Sequence, residues 1–157
     1  MICKILGGVI LLSAATMSAR TVMYSEREKI VQLETFITLI SYIRTQIDLY
    51  SAPIDKILSG CQKDILNRLG VYTSPKSFAE LLSFSDLLVD EESQKILLDF
   101  SSLLGKNYRD HELKLCERTI RELEAQKEKL IRIYPSRKKT AMALFLAIGG
   151  ITVILLL

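Results

Sequence analysis

The densest group of side chains able to move protons is Tyr108-Arg109-Asp110-His111-Glu112. General acid–base work needs such groups within hydrogen-bond reach of a reacting atom. This stretch offers no nucleophile beside its imidazole, and its acids suit the first turn of a helix. His111 is the only histidine, so no HExxH pair exists and a zinc site would lack ligands. Cys3, Cys61 and Cys116 are odd in number, far apart and without a CxxC. They read as free thiols, buried or half-buried, in a reducing compartment. Asp90-Glu91-Glu92 is a charge run at a helix start, which the helix dipole favours. There is no GxxxxGK[ST], no GxGxxG and no GxSxG. The sequence therefore predicts no enzyme, no cofactor, no metal and no small-molecule substrate.

What, then, do these residues sit on? The chain has 157 residues, room for one domain. Hydrophobic residues make up 49% and charged residues 25%, a pairing that requires the apolar residues to be segregated. They are: Thr140–Leu157 is 18 residues without a charge, and Ile5–Ala19 is 15. Disorder is excluded by this apolar content. All 18 acids lie between Glu26 and Glu128, while five of the 21 bases lie outside Tyr24–Ser136. That leaves 16 bases against 18 acids in the middle, net −2. The basicity belongs to the flanks of the apolar runs, and no basic stripe for nucleic acid appears.

At 1.5 Å per residue the carboxyl-terminal run spans ~27 Å, close to the hydrocarbon core of a bilayer. Arg137, Lys138 and Lys139 stand immediately before it, with Arg132 a turn or so earlier. Positive flanks stay cytoplasmic. The amino-terminal run, opened by Lys4 and rich in small residues, also has the form of a secretory leader. A leader would leave the carboxyl-terminal helix as a stop-transfer segment, whose basic flank should follow it, whereas here the bases precede it. The consistent solution is an uncleaved helix over residues 1–23 with Arg20 snorkelling to the cytoplasmic side. Two membrane helices, both termini outside and a cytoplasmic domain at 24–136 follow. Residues 137–157 form the basic flank and the second membrane helix.

The middle reads as all-helical, with sparse glycine and proline and no hairpin signal. A first helix starts near Ser25, or continues the membrane helix, and runs to about Tyr50. Ile30, Leu33, Ile37, Ile40 and Ile47 line its face, widened by Phe36, Leu39, Ile43 and Tyr50. Pro53 ends it. A second helix is expected over about Ile54–Leu69, with Gly70 after its end. A third should be capped at Ser74-Pro75, and a fourth should run from Asp90 to Gly105. The last, about Asn107–Tyr134, carries a heptad seam of Leu113, Cys116, Ile120, Leu123, Leu130 and Tyr134. Lys127 occupies the missing seam position and is expected to be solvated. The expected fold is an antiparallel helical bundle tethered by a transmembrane helix at each end, the last body helix packing on the first.

This layout resembles the stage III sporulation protein AB family of endospore-forming bacteria. The pieces that carry the likeness are Ser25-Glu26-Arg27 followed by Leu33, the run from Gln46 to Ile54, Leu104-Gly105 before the last helix, and an anchor after a basic cluster. The family pattern commonly has an acidic residue and a glutamine after Leu-Gly, where this chain has Tyr108 and Glu112. The resemblance implies a non-enzymatic platform subunit in the mother-cell half of a channel complex joining mother cell to forespore. It implies a cytoplasmic fold similar to the platform proteins of type II secretion and type IV pilus systems. The implied partners are a cytoplasmic secretion-type ATPase and other membrane subunits. The polar stretch suggests a partner surface at Lys106, Asn107, Arg109, Glu112 and Arg118. Two other readings stand beside this one: a generic membrane-tethered adaptor or signalling subunit, and a secreted, tail-anchored structural protein.

Overall fold

A computed structural model describes the backbone of residues 2–50 and 52–156. It describes the side chains of 24–50 and 52–136, and of 139, 140, 143, 144, 147 and 151 beyond them. The elements are α1 (Ile2–Tyr50), α2 (Ile54–Ser59), α3 (Lys63–Arg68), α4 (Phe78–Phe84), α5 (Glu91–Leu103) and α6 (Arg109–Leu156). Every element among the described residues is helical, as the sequence predicts. They fall into two compact units: 29–129, called the body below, and 1–28 with 130–157.

In the body, α1 and α6 run antiparallel. Glu34 meets Lys127 at 3.6 Å, Arg44 meets Glu117 at 2.7 Å, and Asp48 meets Arg109 at 2.7 Å. Position rises along one helix as it falls along the other. The pairing matches the expected partnership of first and last helices. Lys127 is a correction: it is three-quarters buried and paired with Glu34 rather than solvated. The seam of α6 is met in part. Its Cys116 and Leu123 are fully buried, whereas Leu113 and Ile120 are half-buried and their neighbours Glu112 and Thr119 turn in instead.

The core is built on Leu33, Phe36, Leu39, Ile40, Ile43 and Ile47 of α1, against Leu58, Leu69, Leu81, Leu97 and Leu123. Burying each such side chain contributes about 1.5–3 kcal/mol. Phe78 and Phe100 meet edge to face, 4.9 Å between centroids at 85°, where α4 packs on α5. Tyr50, expected to widen the apolar face of α1, is exposed at the end of the helix.

Three boundaries differ from the sequence expectation. The second helix is split at Gly60, where the Tyr42 hydroxyl donates to the Gly60 carbonyl at 3.1 Å and Cys61 turns into the core. That carbonyl would otherwise receive a helical N–H, and glycine is a poor helix former. The cap of α4 is Ser77, not Ser74. Its hydroxyl accepts from the Glu80 N–H at 3.1 Å while the Glu80 carboxylate accepts from the Lys76 N–H at 2.6 Å, a reciprocal arrangement akin to a capping box. Finally, α6 is continuous through Pro135, while α1 runs through Ser25, the second of the two starts the sequence allows. No glycine or proline lies between Gly8 and Pro53 to interrupt α1. Pro135 removes one ladder bond without ending the helix. The expected end of α3 is met: Gly70 sits at φ 76°, with Gly70 N–H to Asn67 O and Val71 N–H to Leu66 O. These two bonds form a Schellman cap.

Among the described residues no helix is long and apolar enough to cross a membrane. The expected membrane helices fall largely on side chains outside the described residues, including those of Arg20, Arg137 and Lys138. Lys139 is exposed.

Candidate functional site

At one end of the body five chain segments converge on a cavity of about 400 Å³. Ile47 comes from α1, Pro53-Ile54-Asp55 from the entry to α2, and Lys76-Ser77-Phe78 from the entry to α4. Leu104-Gly105 and Asn107 come from the turn after α5, and Arg109 and Glu112 from the first turn of α6. The turn is forced by Gly105, which holds φ 82° and stands where an added Cβ would lie 3.4 Å from Ile54 Cγ1.

Glu112 organises that turn. It is only 5% exposed. Its Oε1 accepts from the Gly105 N–H at 3.1 Å and the Asn107 N–H at 2.9 Å. Its Oε2 is buried and meets no protein donor. The expectation that Glu112 belongs to an exposed partner surface is therefore corrected: it turns inward to satisfy backbone N–H groups before α6, as buried polar groups require.

Arg109 is half-exposed but occupied. Its guanidinium donates to the carbonyls of Ile47 and Asp48 and to the Asp48 carboxylate. Those carbonyls end α1, where orphan acceptors and the negative end of the dipole favour a cation. Lys106 and Asn107 are exposed, and the Asn107 side chain donates to Leu103 O at 3.4 Å. Arg118 is exposed and pairs with Glu122 at 3.2 Å along the same helix. Nine residues are about two and a half turns, so Arg109 and Arg118 lie on opposite sides of α6. The five proposed surface residues do not form one patch: Lys106, Asn107 and Arg109 cluster at the turn, Glu112 is inside, and Arg118 stands apart.

Burial also governs the thiols. The Cys116 thiol is pushed up to about 12, chiefly by burial and then by the nearby Glu112 charge. Cys61 is raised, again by burial. Both are buried free cysteines, as expected, whereas Cys3 lies outside the described residues. The cavity's hydroxyls are engaged locally. Ser77 accepts the cap bond and Ser101 donates to Leu98 O at 2.8 Å.

Asp55 and Lys76 line the same cavity as Glu112 only because the fold brings their segments together. Gln32 was missed from the sequence. It is buried in α1, donating to Asp86 O at 2.6 Å and accepting from the N–H groups of Leu88 and Val89 at 2.8 and 3.2 Å. Its place among the apolar positions of α1 was the available signal.

A family model described as stage III sporulation protein AB matches residues 76–157, just over half of the chain. The chain belongs to the stage III sporulation protein AB family. It is accordingly a sporulation-related protein. The match takes in α4, α5, the Leu104-Gly105 turn, the whole of α6 and the basic cluster with its apolar run. Neither a curated relative nor a solved structure matches the chain.

Proposed function

We propose that this member of the stage III sporulation protein AB family is a non-enzymatic platform subunit of the channel or secretion-like complex linking mother cell and forespore. Its two ends anchor it in the mother-cell membrane facing the forespore, with both termini outside. The body lies in the cytoplasm, where it engages a secretion-type ATPase and neighbouring membrane subunits. The observation that carries this reading is family membership, joined to a chain whose uncharged runs both fall in one unit and whose charged helices form the other. A tether at both ends suits a scaffold held against a bilayer. Energy for any movement must then come from a bound partner.

Two measurements test the reading. Ser83, exposed in α4, is replaced in a Cys3→Ala chain (Ser83→Cys), the buried Cys61 and Cys116 being retained. An impermeant thiol reagent should label it only after lysis, and labelling in intact cells would remove the cytoplasmic body from the account. Arg118→Glu should weaken co-purification with the secretion-type ATPase at low salt, where surface charge acts most strongly, and leave helicity and melting unchanged. No co-purification by the unaltered chain would end the ATPase role. Equal recovery by the variant would move the contact away from the outer side of α6.

A further inference from the structure

The stretch from the end of α4 through α5 leaves large apolar side chains in water. Phe84 closes α4 at 50% exposure, Leu88 lies in the loop to α5 at 43%, and Leu98 lies on α5 at 55%. Phe84 and Leu88 are four residues apart, a reach of at most about 14 Å. Leu98 follows Glu91 by seven residues, about two turns, so these two share one side of α5. The loop is firmly held. Val89 is buried, Gln94 donates to Val89 O at 2.9 Å, and the buried Gln32 engages Asp86 O and the N–H groups of Leu88 and Val89. Phe84 and Leu88 therefore stand on a pre-formed surface, which lowers the ordering cost of binding.

Charge decides what fits there. Residues 77–105 hold six acids and one base, whereas the rest of the body, 29–76 and 106–129, holds ten acids and thirteen bases. Asp90, Glu91 and Glu92 suit the positive end of α5. Asp86 precedes that helix and Asp99 lies in its second half, where the dipole gives no reason for an acid. Asp86, Glu91 and Asp99 are exposed and enter no ion pair among the described residues. A lipid surface is a poor match, since anionic headgroups attract Lys and Arg. Apolar anchors beside charge of one sign are the form of a protein contact, and this sign calls for bases.

We infer that the α4–α5 hairpin is a docking surface for a basic amphipathic segment of a partner protein. Apolar side chains of that segment pack on Phe84 and Leu88, and its lysines or arginines meet Asp86 and Glu91. This assignment does not depend on the partner being an ATPase, so it stands or falls separately from the proposed platform role.

The full chain, labelled with ¹⁵N-phenylalanine and held one copy per nanodisc of zwitterionic lipid, presents five phenylalanine amides. Phe84 reports on the surface, and the fully buried Phe36 is the reference. The probe is a helical peptide of leucine and lysine with its leucines on one side. Two parallel probes have the leucines scattered around the helix, or glutamate in place of lysine. The expected result is a saturable shift of Phe84 with the first peptide, an unmoved Phe36, and binding about tenfold weaker or less for the other two. Asp86→Asn combined with Glu91→Gln, both at exposed positions, should weaken binding about three- to tenfold at low salt, and the loss should fade at high salt. Leu88→Ser should weaken it about fivefold or more. Absence of a saturable shift, an equal response to either parallel probe, or unchanged affinity in both variants overturns the docking surface. A shift of Phe84 without peptide, on loading two copies per disc or on adding anionic lipid, also overturns it, in favour of a second copy of the chain or of the bilayer.

Discussion

Arg109, the first residue of α6, closes the last turn of α1 through Asp48. The two longest helices of the body are thereby joined at one end by a single guanidinium. Arg109→Ala should lower the stability of the body by about 0.5–1 kcal/mol after allowance for solvent screening of a half-exposed pair. Thermal melting followed by far-ultraviolet circular dichroism checks it, and the loss should shrink in high salt. Charge reversal at Arg109 is consequently a poor probe of partner binding, since it damages the end of α1 as well. Arg118, whose pair lies within one helix, is the cleaner probe.

Gln32 supplies three hydrogen bonds to the loop between α4 and α5, one donated and two accepted. Gln32→Leu fits the apolar neighbourhood but strands the Leu88 and Val89 N–H groups and the Asp86 carbonyl. The expected cost is about 2–3 kcal/mol. Hydrogen exchange should localise it: the amides of Leu88 and Val89 should lose protection more than those of α5. Uniform loss across the body would mean that Gln32 acts through packing alone.

Leu123 is fully buried in α6, inside the body. Leu123→Asp places a carboxylate there with no donor waiting for it, at a cost of several kcal/mol. A domain stability of roughly 5–15 kcal/mol leaves little afterwards. The chain should lose its cooperative melt, while Leu98→Asp, at an exposed leucine of α5, should melt like the parent.

The helices were legible because their signals are local. The spacing of Leu33, Phe36, Ile40, Ile43 and Ile47, the break at Pro53 and the left-handed glycines at 70 and 105 each follow from a few neighbouring residues. The departures have one distant and one local origin. Tyr42 takes the Gly60 carbonyl, and the helix that the sequence reads through to Leu69 splits at a residue already poor in helix propensity. The pair Ser77 and Glu80 outcompeted Ser74-Pro75 as a cap, although its S-x-x-E spacing was present in the sequence. At the site, Glu112 reads as one more acid in a polar run. Only the turn at Gly105 brings two backbone donors to it and turns it inward. Burial of a charge is a tertiary property, and a run of polar letters carries no sign of it.

Cys116 provides the last test, because its environment is both apolar and negative. With the thiol pushed up to about 12, only about one molecule in ten thousand carries the thiolate at pH 8, and the thiolate is the nucleophile. Native protein should therefore resist iodoacetamide at Cys116 at pH 8, and denatured protein should react fully. The sign of the linkage follows from the raised value. The folded state favours the protonated thiol, so this contribution is intact below the ordinary thiol range near 9 and is lost as pH rises toward 12. Glu112→Gln removes the charge that adds to the shift, so the folded-state value should fall and native alkylation between pH 9 and 10 should quicken. Mass spectrometry of the Cys116 peptide reads both effects. An unchanged rate in Glu112→Gln would remove Glu112 from the causes of the shift.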